Sequence, residues 1–266
     1  MLSEPRAIFF QTELIWLPPD VSGYRLDKMI VRRFYNTLFE PEFNEHCYEN
    51  LDLQAQKPTL SSEQAGKRSI CRFSENSITI EEQRPVFAVD EFCKIVDNVV
   101  KAFQKALGND GAVPQFPPVV SQRCRMQCLP QPHEVGGSLT LLAEKLSHVK
   151  DAIEPFERPP SFFGVRFRFG PALIATENGA ITEHEGFVTV RFETYSNDPS
   201  QVWMEVLAQY VPLVQENAPA TLESVALFQA NIQNAYEFLT EKCKAFLDQY
   251  DKPQEKPPED KPSLET

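Results

Sequence analysis

Four stretches of this chain alternate apolar and polar side chains with a period of two: AIFFQTELIWL (7–17), VVSQRCRMQCL (119–129), FFGVRFRF (162–169) and FVTVRFETYS (187–196). Successive side chains of a strand point to opposite sides, so each stretch has one face to bury and one to leave in water. Ile8, Phe10, Leu14 and Trp16 share a side in the first, against Gln11 and Glu13; Val188, Val190 and Phe192 share one in the last. RSICRF and NSITIEEQ add a hairpin turning at Glu75 and Asn76. Strands of this kind build antiparallel sheets with one open face, and something helical must cover the other.

The helices are legible from the change of period. Leu26, Met29, Ile30, Phe34 and Leu38 recur at helical spacing, as do Phe92, Ile95, Val96, Val99, Phe103 and Leu107 between Asp90 and Gly108. Leu139, Leu142, Leu146 and Val149 predict a helix opening near Ser138. Asp198 followed by Pro199 reads as a cap and first turn, predicting a helix through Tyr210. Leu222, Val225, Phe228, Ile232, Leu239, Cys243, Phe246 and Tyr250 predict a long final helix over 221–250. At 1.5 Å per residue it would span roughly 45 Å. It would clamp both halves of the sheet or, alternatively, pair with a second copy to make a homodimer.

The polar run Leu51–Gly66, with Pro58, reads as a loop, and NDGAVPQFPP is turn-rich enough for a boundary. The expected organisation is a first α+β half over 1–108, a connection over 109–118, a second half with the long helix over 119–250, and a disordered tail over 251–266. That tail, DKPQEKPPEDKPSLET, is charged and proline-rich. The fold class is therefore α+β: antiparallel sheets, helices on one face, and two similar halves of β-α-β-β-α order that suggest an internal duplication. The hairpin PALIATENGAITEH, with Asn178 and Gly179 at its turn, decorates the second half.

The ten residues SFFGVRFRFG hold four phenylalanines and two arginines. An RNA-stacking strand would need a ring where Val165 stands and a basic residue where Ser161 stands, whereas simple alternation puts Phe163, Val165, Phe167 and Phe169 on a core face. The arginines carry the functional expectation. Arg123 and Arg125, Arg166 and Arg168, and Arg191 all fall on polar strand faces, so a shared sheet would show five guanidinium groups on its open side. Cross-strand pairing with acids such as Glu193 is the ordinary fate of such groups; recognition of a carboxylate- or phosphate-bearing ligand is the alternative.

Charge narrows the field. Lys and Arg number 26 against 38 Asp and Glu, a net charge of -12, which repels nucleic acid and anionic membrane at long range. The N-terminal segment lacks a basic start followed by an apolar run, and no run of about 18 apolar residues occurs, so a cytoplasmic protein with no membrane contact is expected. Six cysteines, Cys47, Cys71, Cys93, Cys124, Cys128 and Cys243, are too sparse for a disulfide scaffold and read as reduced thiols.

Motifs that would carry chemistry are thin. Cys124, Cys128 and His133 lie close in sequence, but strand residues four apart sit roughly 13 Å apart, too far to share a zinc ion. In EPEFNEHCYEN, Glu42 and His46 lie one helical turn apart and Glu45 and Glu49 form an acidic pair, a pattern that solvated helices show far more often than metal sites. His46 and the neighbouring Cys47 would point in different directions on a helix, and His184 reads as turn chemistry. Neither a nucleophile elbow, a phosphate-binding glycine loop nor a zinc-protease motif is present, so no cofactor or catalytic residue is expected.

The RCRM strand after the mid-chain helix, the arginine-rich second hairpin and the closing helix around LFQANIQNAYEFLTEKC resemble a sporadically distributed bacterial family of uncharacterised proteins of similar length. That resemblance implies the architecture and a bacterial cytosolic setting. The order of elements also resembles the saddle of TATA-binding proteins, whose basic concave sheet grips DNA, a use that the net charge opposes. The expectation is a non-enzymatic, accessory binding protein whose arginine face meets an acidic protein or a small anionic ligand. An enzyme with a site between the halves, and a nucleic-acid binder with a basic sheet face, are the alternatives.

Overall fold

The computed structural model describes residues 2–22, 25–43, 48–108, 117–133, 136–149, 151–158, 160–171, 173–175, 181–183, 186–211 and 225–251. The first alternating stretch becomes β1 (Ala7–Trp16), with Phe10, Thr12, Leu14 and Trp16 buried in strict alternation. It is the middle strand of a nine-stranded sheet ordered β2-β3-β4-β5-β1-β6-β11-β10-β7. The remaining strands of that sheet are β2 (Asn50–Asp52), β3 (Thr59–Gln64), β4 (Lys67–Ser74), β5 (Ser77–Gln83), β6 (Val119–Cys128), β7 (Gly164–Phe169), β10 (Val188–Thr194) and β11 (Val202–Tyr210). A separate hairpin is formed by β8 (Leu173–Ala175) and β9 (Ile181–Glu183). Every pairing is antiparallel.

Both halves share one continuous sheet, joined where β1 lies against β6 with Thr12 opposite Cys124. On one side the strands proceed β5, β4, β3; on the other β11, β10, β7. Each half thus starts with the strand at the join, crosses by a helix to the outside, and returns strand by strand to pair with its own first strand.

The helices are α1 (Pro19–Ser22), α2 (Lys28–Thr37), α3 (Val89–Leu107), the short α4 (Gly137–Leu139) continuing as a π-helical turn over Thr140–Leu146, a 3₁₀ segment Asp151–Phe156, and the C-terminal α5 (Val225–Glu237). The last continues through a π-helical turn, Phe238–Cys243, into α6 (Lys244–Asp248). Asp27 caps α2, accepting from Ile30 N at 2.8 Å. In α3, Asp90 and Glu91 sit in the first turn and Lys105 in the last, each favourable with the helix dipole.

The apolar stripe of α3 is buried as its spacing predicts, with Phe103 fully enclosed among Trp16, Phe34 and Phe73 at ring separations of 5.6–6.2 Å. The C-terminal helix lies within the chain as a clamp. It packs on α3 and over β6 and β11, Gln229 Nε2 donates to Cys93 O at 3.4 Å, and Gln233 bonds Asp90. Under it, Gln122 is wholly buried and donates to Thr12 Oγ1 and to Phe228 O, both at 3.0 Å, while accepting from Asn231 Nδ2 at 2.9 Å. That polar cluster fixes the helix over the join between halves.

Two expectations are corrected. Residues 199–210 are not helix but a turn followed by strand from Val202: Val202, Met204, Val206, Ala208 and Tyr210 are buried at period two. The Asp198 carboxylate serves a turn instead, accepting from Ser200 N at 3.0 Å and Ser200 Oγ at 2.6 Å, because the residues that cap a helix can equally close a hairpin. The segment 51–66 contains β3 and part of β2, not only loop; TLSSEQ buries only Leu60, so it carries almost no apolar signal. Each half is therefore β-α followed by main-sheet strands, four in the first half and three in the second, and a helix, with the β8–β9 hairpin added in the second. The expected turn at 178–179, residues 221–224 of the expected final helix, most of the expected connection and the tail from 252 lie outside the described residues.

Candidate functional site

The five arginines do share the open face of the sheet, and the acids of neighbouring strands divide them. Glu205 on β11 is almost completely buried at 4% exposure, although it points to the open side. Arg125 Nε reaches its Oε2 at 2.5 Å, Gln127 Nε2 the same atom at 2.6 Å, and Arg191 Nη1 its Oε1 at 3.2 Å. Arg191 also donates to Glu193 through Nη2 at 2.6 Å and stacks over Trp203 at 5.0 Å. Burial works against its charge, but Glu193 and Glu205 outweigh burial and hold the guanidinium pKa above its ordinary value. Arg123 lies 3.4 Å from Glu13 across the β1–β6 join. These three are cross-strand pairs of the ordinary kind.

Arg166 and Arg168 differ. Both are exposed on β7, the outermost strand, and neither meets a carboxylate among the described residues. Register puts Arg166 opposite Arg191, already committed to two glutamates, and Arg168 opposite Thr189. Arg168 instead rests on the exposed ring of Phe187 at 4.1 Å.

The other side of β7 departs from the core-face expectation. Phe163 and Val165 do pack against the core, but Phe167 and Phe169 remain 37% and 47% exposed. They face the helix layer without being closed over, because no described strand lies beyond β7 and the C-terminal helix leaves a gap. The gap is a groove of about 310 Å³ walled by Phe167, Phe169 and Phe192 from the sheet and Phe238, Cys243 and Phe246 from the helix, with Lys242 at its rim. Ring centroids of Phe167 and Phe246 are 5.7 Å apart, and those of Phe169 and Phe238 6.0 Å. The π-helical turn Phe238–Cys243 forms part of the wall. Burial pushes the Cys243 thiol up to about 12, so it serves the groove as an apolar, un-ionised group.

Elsewhere the described thiols are buried. Burial raises Cys124 to about 12, and Cys128 is raised well above its usual value. His133 lies outside that cluster: its backbone N donates to the buried Asp251 carboxylate at 3.0 Å. No group of three His, Cys, Asp or Glu side chains capable of holding a metal occurs among the described residues. Glu42 bonds Lys105, while Glu45, His46, Cys47 and His184 lie outside the described residues. No described helix is long and apolar enough to cross a membrane.

Sequence reasoning placed Arg166 and Arg168 on the open face, where they lie. It missed the groove as a groove, and it missed Glu205, which sat inside a segment read as helix. A partial signal existed: Phe238, Lys242 and Phe246 recur at four-residue spacing beside the buried Leu239, Cys243 and Leu247. Comparison with protein-family models, with curated proteins and with solved structures gave no match.

Proposed function

We propose that this is a cytoplasmic, non-enzymatic binding protein that engages an acidic partner through the outer edge of its second half, with Arg166 and Arg168 as the contact residues. The single observation behind this reading is the division of the arginine face. Arg123, Arg125 and Arg191 are neutralised by Glu13, Glu193 and Glu205, which leaves Arg166 and Arg168 as the two of these five sheet-face arginines without a described carboxylate. Guanidinium forks bind carboxylates bidentately, and two of them i, i+2 on one strand face set a spacing of roughly 7 Å that a partner's acids can match.

The test is affinity capture from native lysate with wild type and the Arg166→Glu/Arg168→Glu variant side by side, each with and without nuclease. A partner retained by wild type, lost by the variant and indifferent to nuclease is the expected result. An identical bound set for both proteins would refute the assignment, and nuclease-sensitive capture would favour a nucleic-acid partner.

A further inference from the structure

Among the described residues, β7 presents three things at once: arginines that meet no carboxylate on one side, a phenylalanine groove on the other, and an unpaired backbone edge between them. Antiparallel neighbours alternate between residues whose backbone groups face each other and residues whose groups face away. Thr194 N donates to Phe163 O at 2.9 Å, so Phe163 and, by alternation, Val165, Phe167 and Phe169 turn their backbone toward β10. Gly164, Arg166 and Arg168 therefore turn theirs outward, and no backbone hydrogen bond from them to another segment occurs among the described residues.

We propose that the partner adds a strand to this edge: an extended, antiparallel segment in which acidic residues alternate with bulky apolar ones. This rests on the reading of Arg166 and Arg168 given above and adds the form of the ligand. A segment laid along β7 in the orientation of every other pair in the sheet would set its odd side chains against Arg166 and Arg168, and its even side chains beside Phe167 and Phe169, at the mouth of the groove. Only acidic-apolar alternation satisfies both sides. A second copy of this chain does not: a two-fold pairing that overlaps most of β7 and keeps the helices on one side of a joint sheet sets at least Arg166 against an arginine, and directly opposed like charges are destabilising. The chain's own proline-rich tail suits the edge poorly, since proline has no N–H to give a ladder.

The alternation predicts which backbone groups matter. In an antiparallel pair the residue opposite an outward-facing one also turns its backbone inward, so the glutamates of the added strand, not its apolar residues, donate to β7. The probe is an amidated seven-residue peptide of alternating glutamate and leucine with a fluorophore on its N-terminus, titrated with the full chain and read by fluorescence anisotropy. Saturable binding is expected with a Kd of about 1 mM or tighter. N-methylation of the glutamates should weaken it about tenfold or more by deleting ladder donors, while N-methylation of the leucines should leave it within about threefold. Replacing glutamate by lysine should abolish it.

Equal effects of the two methylations, the reverse order, or no saturation at several times that concentration (about 5 mM) would overturn strand addition. The acidic reading is tested separately with Arg166→Glu/Arg168→Glu, checked for folding by circular dichroism. Loss of binding in that variant with methylation-insensitive wild-type binding leaves the charge reading standing and removes the strand. Unchanged binding in the variant with the expected methylation pattern does the opposite.

Discussion

Glu205 controls both stability and charge on the open face, and changing it to glutamine should move the two in opposite directions. Its carboxylate accepts from Arg125, Arg191 and Gln127 at 2.5, 3.2 and 2.6 Å and is 4% exposed. Hydrogen bonds to a buried charge contribute about 1.5–3 kcal/mol each in favourable cases. The arginine side chains, however, are 39% and 35% exposed and recover much of that from water when released, which brings each pair nearer ~1 kcal/mol. Glu205→Gln keeps the shape and one acceptor, so a net loss of about 1–3 kcal/mol is expected, a fall of roughly 3–8 °C in melting temperature for a chain of this size. The same change releases Arg125 and uncouples Arg191 from one of its two acids beside Arg166, raising the positive potential at the edge. Differential scanning calorimetry should therefore show a less stable protein, and anisotropy a tighter complex with the glutamate–leucine peptide, by about threefold or more at low salt. A melting temperature within 1 °C of wild type, about the size of a negligible change, would mean that Glu205 is not the keystone of the pairing; weaker peptide binding would refute the electrostatic account of the edge.

Two further outcomes follow from the core and the chain ends. Phe103→Ala should cost about 3–5 kcal/mol in chemical denaturation, because the ring is fully enclosed by Trp16, Phe34 and Phe73. Asp248 accepts from Leu2 N at 2.6 Å and from Lys244 Nζ at 2.9 Å, and these hold its pKa below the ordinary 3.8 against the opposing effect of burial. A depressed carboxylate stabilises the fold above its unfolded pKa and stops doing so as pH falls through the folded value. Stability measured from pH 6 down to about pH 2 should accordingly fall below pH 4, and less steeply in Asp248→Asn; parallel curves for the two proteins would remove Asp248 from the account.

The strands carrying strict alternation, β1, β6 and β10, and the helices α2 and α3 were legible because their own side chains encode two-sided burial. The same local code failed for β11, where Asp198-Pro199-Ser200 suits a helix start and a tight turn equally well, and only pairing with β6 and β10 selects the turn. It failed for β3 because a strand next to the sheet edge that buries only Leu60 has little apolar content to display. In the candidate site, the arginines could be placed on one face from parity alone, but which of them are already paired depends on Glu13 and Glu205, residues 110 and 80 positions away from Arg123 and Arg125.

By itself, the sequence determined periodicity, and with it fold class, the covered and open faces, and the inward thiols, since each follows from a residue and its near neighbours. Tertiary structure decided strand order, which made β7 an edge. That placement turned two phenylalanines of an apparent core strand into the walls of an open groove and left Arg166 and Arg168 with no described strand beyond them to supply an acid. Neighbourhood across a sheet is set by pairing over tens of residues, and no local pattern records it.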